Sequence, residues 1–218
     1  MLKAIVFDLD GTLVDSAPDI AWGINRMLAQ YGLPPQPVRM IEKLTGEGAS
    51  VLVSKVYAAL GVAVDAQRID TDTADYLAHY GSRPVADSTL YADAAKALPE
   101  LRNAGLRLGV CTNKIQDLAG LVLDGLGLGP SIEVVVGSDT TPYRKPHPAP
   151  LLHTLALLGV AAEHAVFIGD TTIDRDCAEA AGVRCLIVDW GTGPSVEVPA
   201  THRLRRFADL LQDVALDE

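Results

Sequence analysis

Near the N-terminus a short apolar run, Ala4-Ile5-Val6-Phe7, stops at Asp8-Leu9-Asp10-Gly11-Thr12. Four apolar residues, partly β-branched and aromatic and halted by charge and glycine, predict a strand buried on both faces. Such strands occur inside parallel sheets. Side chains alternate along a strand, so Asp8 and Asp10 project the same way at its carboxyl end. Two carboxylates there repel each other and call for a cation, a shared proton or both. In an open α/β sheet that edge is where ligands bind. An isolated Asp-x-Asp could equally be an acidic turn in which Gly11 only permits a tight bend. The buried strand before it and Gly11-Thr12 after it favour chemistry.

The pattern then turns helical. Ser16 predicts an N-cap, with Asp19 three residues on in the capping-box position. Ile20, Ile24, Met27, Leu28 and Tyr31 recur at helical spacing, and Gly32 closes the helix. Pro34, Pro35 and Pro37 break the chain. From Val38 to Gly81 the reading stays helical. Met40, Ile41 and Leu44 mark a short helix, and Thr45-Gly46-Glu47-Gly48 a loop. Val51, Leu52, Val56 and Leu60 mark a second helix. Asp65 caps a third, with Ile69, Ala74, Leu77 and Ala78 facing inward. No strand pattern appears in this block, so residues 16–82 predict an inserted all-helical subdomain.

Residues 1–15 and 83–218 then make an α/β core. After Pro84, strands at residues 106–110, 132–136, 165–168 and 183–188 alternate with helices at 93–104 and 115–126, one ending at Leu158, one ending at Ala181, and a last one at 204–214. Strands alternating with helices imply right-handed crossovers and a Rossmann-like parallel sheet with helices on both faces.

Composition narrows the function classes. The chain has 218 residues, enough for one large domain or a core with a smaller insert, and is 49% apolar, so disorder does not dominate. A net charge of −10 argues against nucleic-acid and anionic-membrane partners. It leaves anionic substrates open, because a metal and a few cations can reverse the field within one cleft. Cys111, Cys177 and Cys185 form neither a disulfide framework nor a zinc pattern. With no signal segment and no membrane-length apolar run, a reducing cytoplasm fits.

Four segments put polar groups at or just after strand ends: Asp8 and Asp10, Thr112, Lys145, and Asp170 with Asp174. Buried carboxylates left unpaired cost several kcal/mol each. A divalent cation offsets that cost, and oxygen ligands select Mg²⁺ over zinc, so Asp8, Asp170 and Asp174 form a candidate magnesium site.

Asp8-Leu9-Asp10-Gly11-Thr12, then Thr112, then Lys145-Pro146, then Gly169-Asp170 with Asp174 resemble, in order, the motifs of the haloacid dehalogenase superfamily in its phosphatase branch. Asp15-Ser16, the Thr45–Gly48 loop and Lys145-Pro146-His147-Pro148 are similar to those of phosphoglycolate phosphatases. Leu90-Tyr91-Ala92-Asp93 departs from the Tyr-Pro-Gly common at that place. The resemblance implies that Asp8 attacks phosphorus, giving an aspartyl-phosphate, and that Asp10 acts as acid, then base. It implies Mg²⁺ held by Asp8, the backbone carbonyl of Asp10 and Asp170, with Asp174 acting directly or through water. Thr112 and Lys145 would hold phosphoryl oxygens. Asn113 and Thr12 would serve substrate binding, and Thr45 and Gly46 would reach the substrate from a helical cap.

Thr12 and Asp10 together favour a hydrolase over the phosphomutases, which usually carry Val at the first position, and over the dehalogenases, which lack the second aspartate. A lid favours small ligands. The leading expectation is a Mg²⁺-dependent phosphatase of a small phosphate monoester, phosphoglycolate first. Alternatives are a sugar phosphate, nucleotide or pyrophosphate as substrate, a β-phosphoglucomutase-like mutase, or a non-catalytic binding protein on the same fold. The expected partner is a small phosphorylated metabolite, with the chain a monomer or homodimer.

Overall fold

Every residue of β1 (Ala4–Phe7) is buried, and its alternation divides the core. Ile5 and Phe7 pack with one apolar cluster and Ala4 and Val6 with another, one on each face of the sheet. The computed structural model describes residues 1–211. After β1 come β2 (Val14–Asp15) and four helices: α1 (Ala17–Ala29), α2 (Val38–Leu44), α3 (Ala49–Ala59) and α4 (Ala66–Gly81). The chain returns through β3 (Thr89–Leu90). It then alternates: α5 (Ala94–Asn103), β4 (Arg107–Cys111), α6 (Gln116–Gly125), β5 (Val134–Val136), α7 (Ala149–Leu158), β6 (Ala165–Gly169), α8 (Thr172–Ala181), β7 (Arg184–Val188) and β8 (Arg203–Leu204).

Among the described residues the main sheet has six strands in the order β5-β4-β1-β6-β7-β8, all parallel. The chain builds outward from β1 to β4 and β5, then returns to the other side of β1 for β6, β7 and β8. The order therefore reverses at β1. The crevice above the carboxyl ends of β1, β4 and β6 is the switch point where such sheets take ligands.

Helices α1 to α4 gather around an apolar cluster of their own, including Ile20, Ile24, Met27, Leu52, Val56, Tyr57, Tyr76 and Tyr80. Asp65 caps α4 as expected, accepting from the Arg68 amide. The inward face of α4 differs from the expectation: Asp72, Tyr76 and Tyr80 are buried, while Ala74 and Ala78 are exposed. A buried carboxylate decides that orientation. Asp72 accepts from the hydroxyls of Tyr31 (2.7 Å) and Tyr57 (2.5 Å) and from Arg68 Nε (2.5 Å), so the group that reads as solvent-facing is satisfied inside.

Two other features depart from the sequence reading. β2 and β3 pair antiparallel as a two-stranded ribbon, Val14 opposite Leu90 and Asp15 opposite Thr89. Two residues a side are too few to leave a periodic signal. The helix expected at 204–214 starts later: β8 and a 3₁₀ turn at Phe207–Asp209 come first, and helical residues follow at 210–211; residues 212–214 lie outside the described part. Leu204, Phe207 and Leu210 are buried, and their spacing of three mimics a helix.

Candidate active site

The turn after β1 aims its carboxylates by a short backbone knot. Gly11 N–H donates to the Val14 carbonyl at 2.9 Å, and Leu13 and Val14 N–H both donate to the Leu9 carbonyl at 3.0 Å. Gly11 takes φ +83°, and a Cβ there would lie 2.3 Å from Asp170 Oδ2. Only glycine permits that conformation together with so close an approach of the β6 carboxylate to the β1 turn. Asp8, at the end of β1, is 4% exposed.

Asp8, Asp170 and Asp174, all buried, bring one carboxylate oxygen each to within 4.8 Å of one another. Lys145 reaches this cluster from the loop after β5. Its Nζ lies 2.8 Å from Asp8 Oδ1 and 2.7 Å from Asp174 Oδ1, and its side chain is 2% exposed. One ammonium therefore faces three carboxylates. Burial pushes the Asp8 carboxyl up to about 6, with Lys145 pulling it down and Asp174 pushing it further up. Burial, then the charges of Asp174 and Asp8, push Asp170 up to about 8. Burial works against the charge on Lys145, but Asp174 and Asp8 outweigh it and hold its pKa well above the usual value. Negative charge exceeds positive in a dry, oxygen-only site, and that is the condition a hard divalent cation satisfies.

Asp174 is committed to structure as well. Its Oδ2 accepts from the amides of Asp170 (3.2 Å) and Thr171 (3.0 Å) and from the Thr171 hydroxyl (2.6 Å). Thr171 and Asp174 form a reciprocal capping box at the start of α8. Oδ1 faces Lys145 and the cluster.

Asp10 is held from two sides. Ser16 Oγ donates to its Oδ1 at 2.5 Å, and Lys114 Nζ reaches Oδ1 at 2.9 Å and Oδ2 at 2.7 Å. Ser16 stands at the N-cap position of α1, but its side chain makes no cap bond; its hydroxyl donates to the Asp10 carboxylate instead. Asp19 makes no capping box either. Its Oδ2 accepts from Asp87 N–H (2.9 Å) and from Ser88 N–H (2.8 Å) and Oγ (2.7 Å), which ties α1 to the returning strand.

The other sequence candidates fall into two groups. Thr112, Asn113, Thr45 and Gly46 line one cleft with Asp8 and Asp10. The Asn113 amide is already engaged: Nδ2 donates to the Gly46 and Lys145 carbonyls at 2.9 and 3.0 Å, and Oδ1 accepts from Lys145 N–H at 3.0 Å. It stitches the Thr45–Gly48 loop to the lysine loop. Thr12, expected at the substrate, is instead fully buried, and its hydroxyl donates to Asp170 Oδ1 at 3.3 Å. It reaches the cluster through Asp170, held in the Leu9–Val14 turn by its own N–H, which donates to the Leu9 carbonyl. Arg144 lies beside Gly48, its guanidinium 3.5 Å from where a Cβ there would stand.

Three contributors have no motif to announce them. Thr192 Oγ1 donates to Asp170 Oδ2 at 2.6 Å, from 22 residues away. Trp190 Nε1 donates to the Thr12 carbonyl at 2.9 Å, across 178 residues. Lys114 is the third residue of Thr112-Asn113-Lys114, and its place just past the end of a predicted strand is the one signal the sequence offers.

The family model of the haloacid dehalogenase-like hydrolases matches residues 5–188. The chain belongs to the haloacid dehalogenase-like hydrolase family. A phosphoglycolate phosphatase of Rhodospirillum rubrum is 43% identical over 195 residues, covering 88% of this chain and 81% of the relative. One of Cereibacter sphaeroides is 39% identical over 215 residues, 98% of this chain and 97% of the relative. A crystal structure from Haemophilus somnus 129PT, described as a predicted phosphoglycolate phosphatase, superposes with a TM-score of 0.88 at 28% identity, covering 97% of both chains. In this haloacid dehalogenase-like hydrolase no described helix is long and apolar enough to cross a membrane.

Proposed function

We propose that this haloacid dehalogenase-like hydrolase is a Mg²⁺-dependent phosphatase of a small phosphate monoester, with phosphoglycolate as its substrate. One observation carries the reading: Asp8, Asp170 and Asp174 converge in a dry pocket against a single lysine. The names of its relatives support the choice of substrate. The cleft over Asp8 and Asp10 is walled by the helical block, through Ile20, Thr45, Leu52, Tyr76 and Tyr80, which suits a small one.

In this reading an Asp8 oxygen attacks phosphorus, the bond from phosphorus to the ester oxygen breaks, and Asp8 carries the phosphoryl group. Asp10, oriented by the Ser16 hydroxyl, gives a proton to the departing alkoxide. It then takes one from the water that displaces Asp8 and releases phosphate. Lys145 and Thr112 steady the phosphoryl oxygens while charge shifts among them. Asp8 and Asp170 would hold Mg²⁺, with the Asp10 carbonyl, and Asp174 would orient the set through Lys145 and the Asp170 amide. When bound, the ion supplies positive charge to the phosphoryl oxygens. Residues 16–82 would serve as a lid, with the Thr45–Gly48 loop as its lower edge. Three free cysteines are compatible with work in a reducing cytoplasm.

The test is phosphate release from a panel of small esters, with Mg²⁺ and with chelator, beside Asp8→Asn. Mg²⁺-dependent turnover led by phosphoglycolate and lost in the variant is expected. Turnover led by a sugar phosphate would discard the substrate, and full activity in Asp8→Asn would discard the mechanism.

A further inference from the structure

Lys114 is a buried cation that the phosphoryl chemistry leaves over. Lys145 already serves the phosphoryl end, against Asp8. Lys114 stands on the other side of Asp10, its side chain 5% exposed and its Nζ 2.7 Å from Asp10 Oδ2. It is the only cationic side chain lining the cleft among the described residues. The wall around it is apolar: Ile20, Leu52, Tyr76, Leu77, Ile115 and Leu118. Its Nζ also lies 4.6 Å from the centroid of the Tyr80 ring. The Tyr80 hydroxyl is itself buried and has no hydrogen-bond partner among the described residues, although a buried hydroxyl normally finds one.

A largely apolar cleft with one ammonium beside Asp10, and with Tyr80 among its lining residues, suits a leaving group that carries its own negative charge. An uncharged alcohol would leave Lys114 on Asp10 and Tyr80 unsatisfied. We propose that Lys114 determines substrate specificity: its ammonium turns from Asp10 to a carboxylate on the alcohol side of the phosphate ester, with the Tyr80 hydroxyl as a further donor. The proposal rests on the phosphatase reading and deepens it, assigning the substrate's second charge to a residue. Desolvation makes the choice sharp, because a charge-assisted hydrogen bond is strongest where water is excluded.

The experiment compares two esters of nearly equal shape, phosphoglycolate and 2-hydroxyethyl phosphate, which differ in a carboxylate against a neutral CH₂OH. The readout is the ratio of their kcat/KM values in the wild type, Lys114→Met and Lys114→Arg. Any loss common to both esters, from misfolding or from a disturbed Asp10, cancels in that ratio. The wild type is expected to favour phosphoglycolate. Lys114→Met should lower the preference by about 10- to 100-fold, chiefly through KM for phosphoglycolate, the range of a buried charge-assisted hydrogen bond. Lys114→Arg should recover much of it. A preference that survives in Lys114→Met, or an equal loss on both esters, overturns the role of Lys114 and leaves the phosphatase reading intact. A wild type that turns over 2-hydroxyethyl phosphate but not phosphoglycolate overturns the substrate and the proposal together.

Discussion

Lys145 shows how little freedom the central residues have. With 2% of its side chain exposed and an aspartate on either side, its charge is fixed by its neighbours. Removing one partner of a buried ionic set leaves the rest uncompensated, at about 3–5 kcal/mol. Lys145→Met is therefore expected to lose about that much stability in urea denaturation without divalent cation, and most of its turnover. Thr192 offers a gentler test. Its hydroxyl orients Asp170, and such supporting groups are worth about 10- to 100-fold in metal affinity. Thr192→Val should raise the Mg²⁺ concentration for half-maximal activity by that factor while the protein stays folded. At this scale Asp8, Asp10, Thr112, Lys145, Asp170 and Asp174 were legible because each follows a strand in a short motif. Thr192 and Trp190 were not, since nothing local marks a residue whose partner lies 22 or 178 positions away. Thr12 is visible as a motif residue, but its bond to Asp170 is not, because the direction its side chain takes depends on the Leu9–Val14 turn.

Single elements carry their own consequences. Helix α8 starts against β6 so closely that a Cβ on Gly169 would lie 2.3 Å from Asp174 Cβ. Gly169→Ala is expected to push the first turn of α8 away, with a loss of about 1–3 kcal/mol and lower activity, since Asp174 moves with it. Helix α4 has a buried acid as its keystone. Burial raises the Asp72 pKa, but the hydroxyls of Tyr57 and Tyr31 and then Arg68 outweigh it, and the group ends below its ordinary 3.8. A depressed carboxyl stabilises the fold above its unfolded pKa and loses that contribution as pH falls through the folded value. Asp72→Asn should thus be less stable than the wild type in urea at about pH 6, with the difference shrinking toward about pH 3. The helices themselves were readable from apolar spacing and from Asp65 as a cap. The burial of Asp72 was not, because its partners come from α3 and from the residue after α1's C-cap, and a charged residue on an amphipathic pattern reads as outward.

For the whole molecule, the excess of buried negative charge predicts that the folded chain is stabilised by its cation. Mg²⁺ at about 100 times its dissociation constant should add about 2.7 kcal/mol, or about 5–10 °C in Tm for a chain of this length. Asp170→Asn should flatten that shift in a thermal melt. The parallel α/β plan and the helical block were both evident in the sequence, through short, largely apolar strands of three to five residues alternating with helices. The order of strands was not. It depends on which side of β1 each crossover returns to, and that is decided by packing between distant segments.

The ribbon of β2 and β3 has a consequence of a different kind. Val14 lies opposite Leu90 and Asp15 opposite Thr89, so the excursion between them starts and finishes at one spot. A segment whose ends already touch can be cut out, lengthened or traded without disturbing the register of the strands beneath. On the proposed function, the carboxylates that break the bond and the helical excursion would then be free to follow separate histories, one kept intact while the other changes which molecule is offered to it.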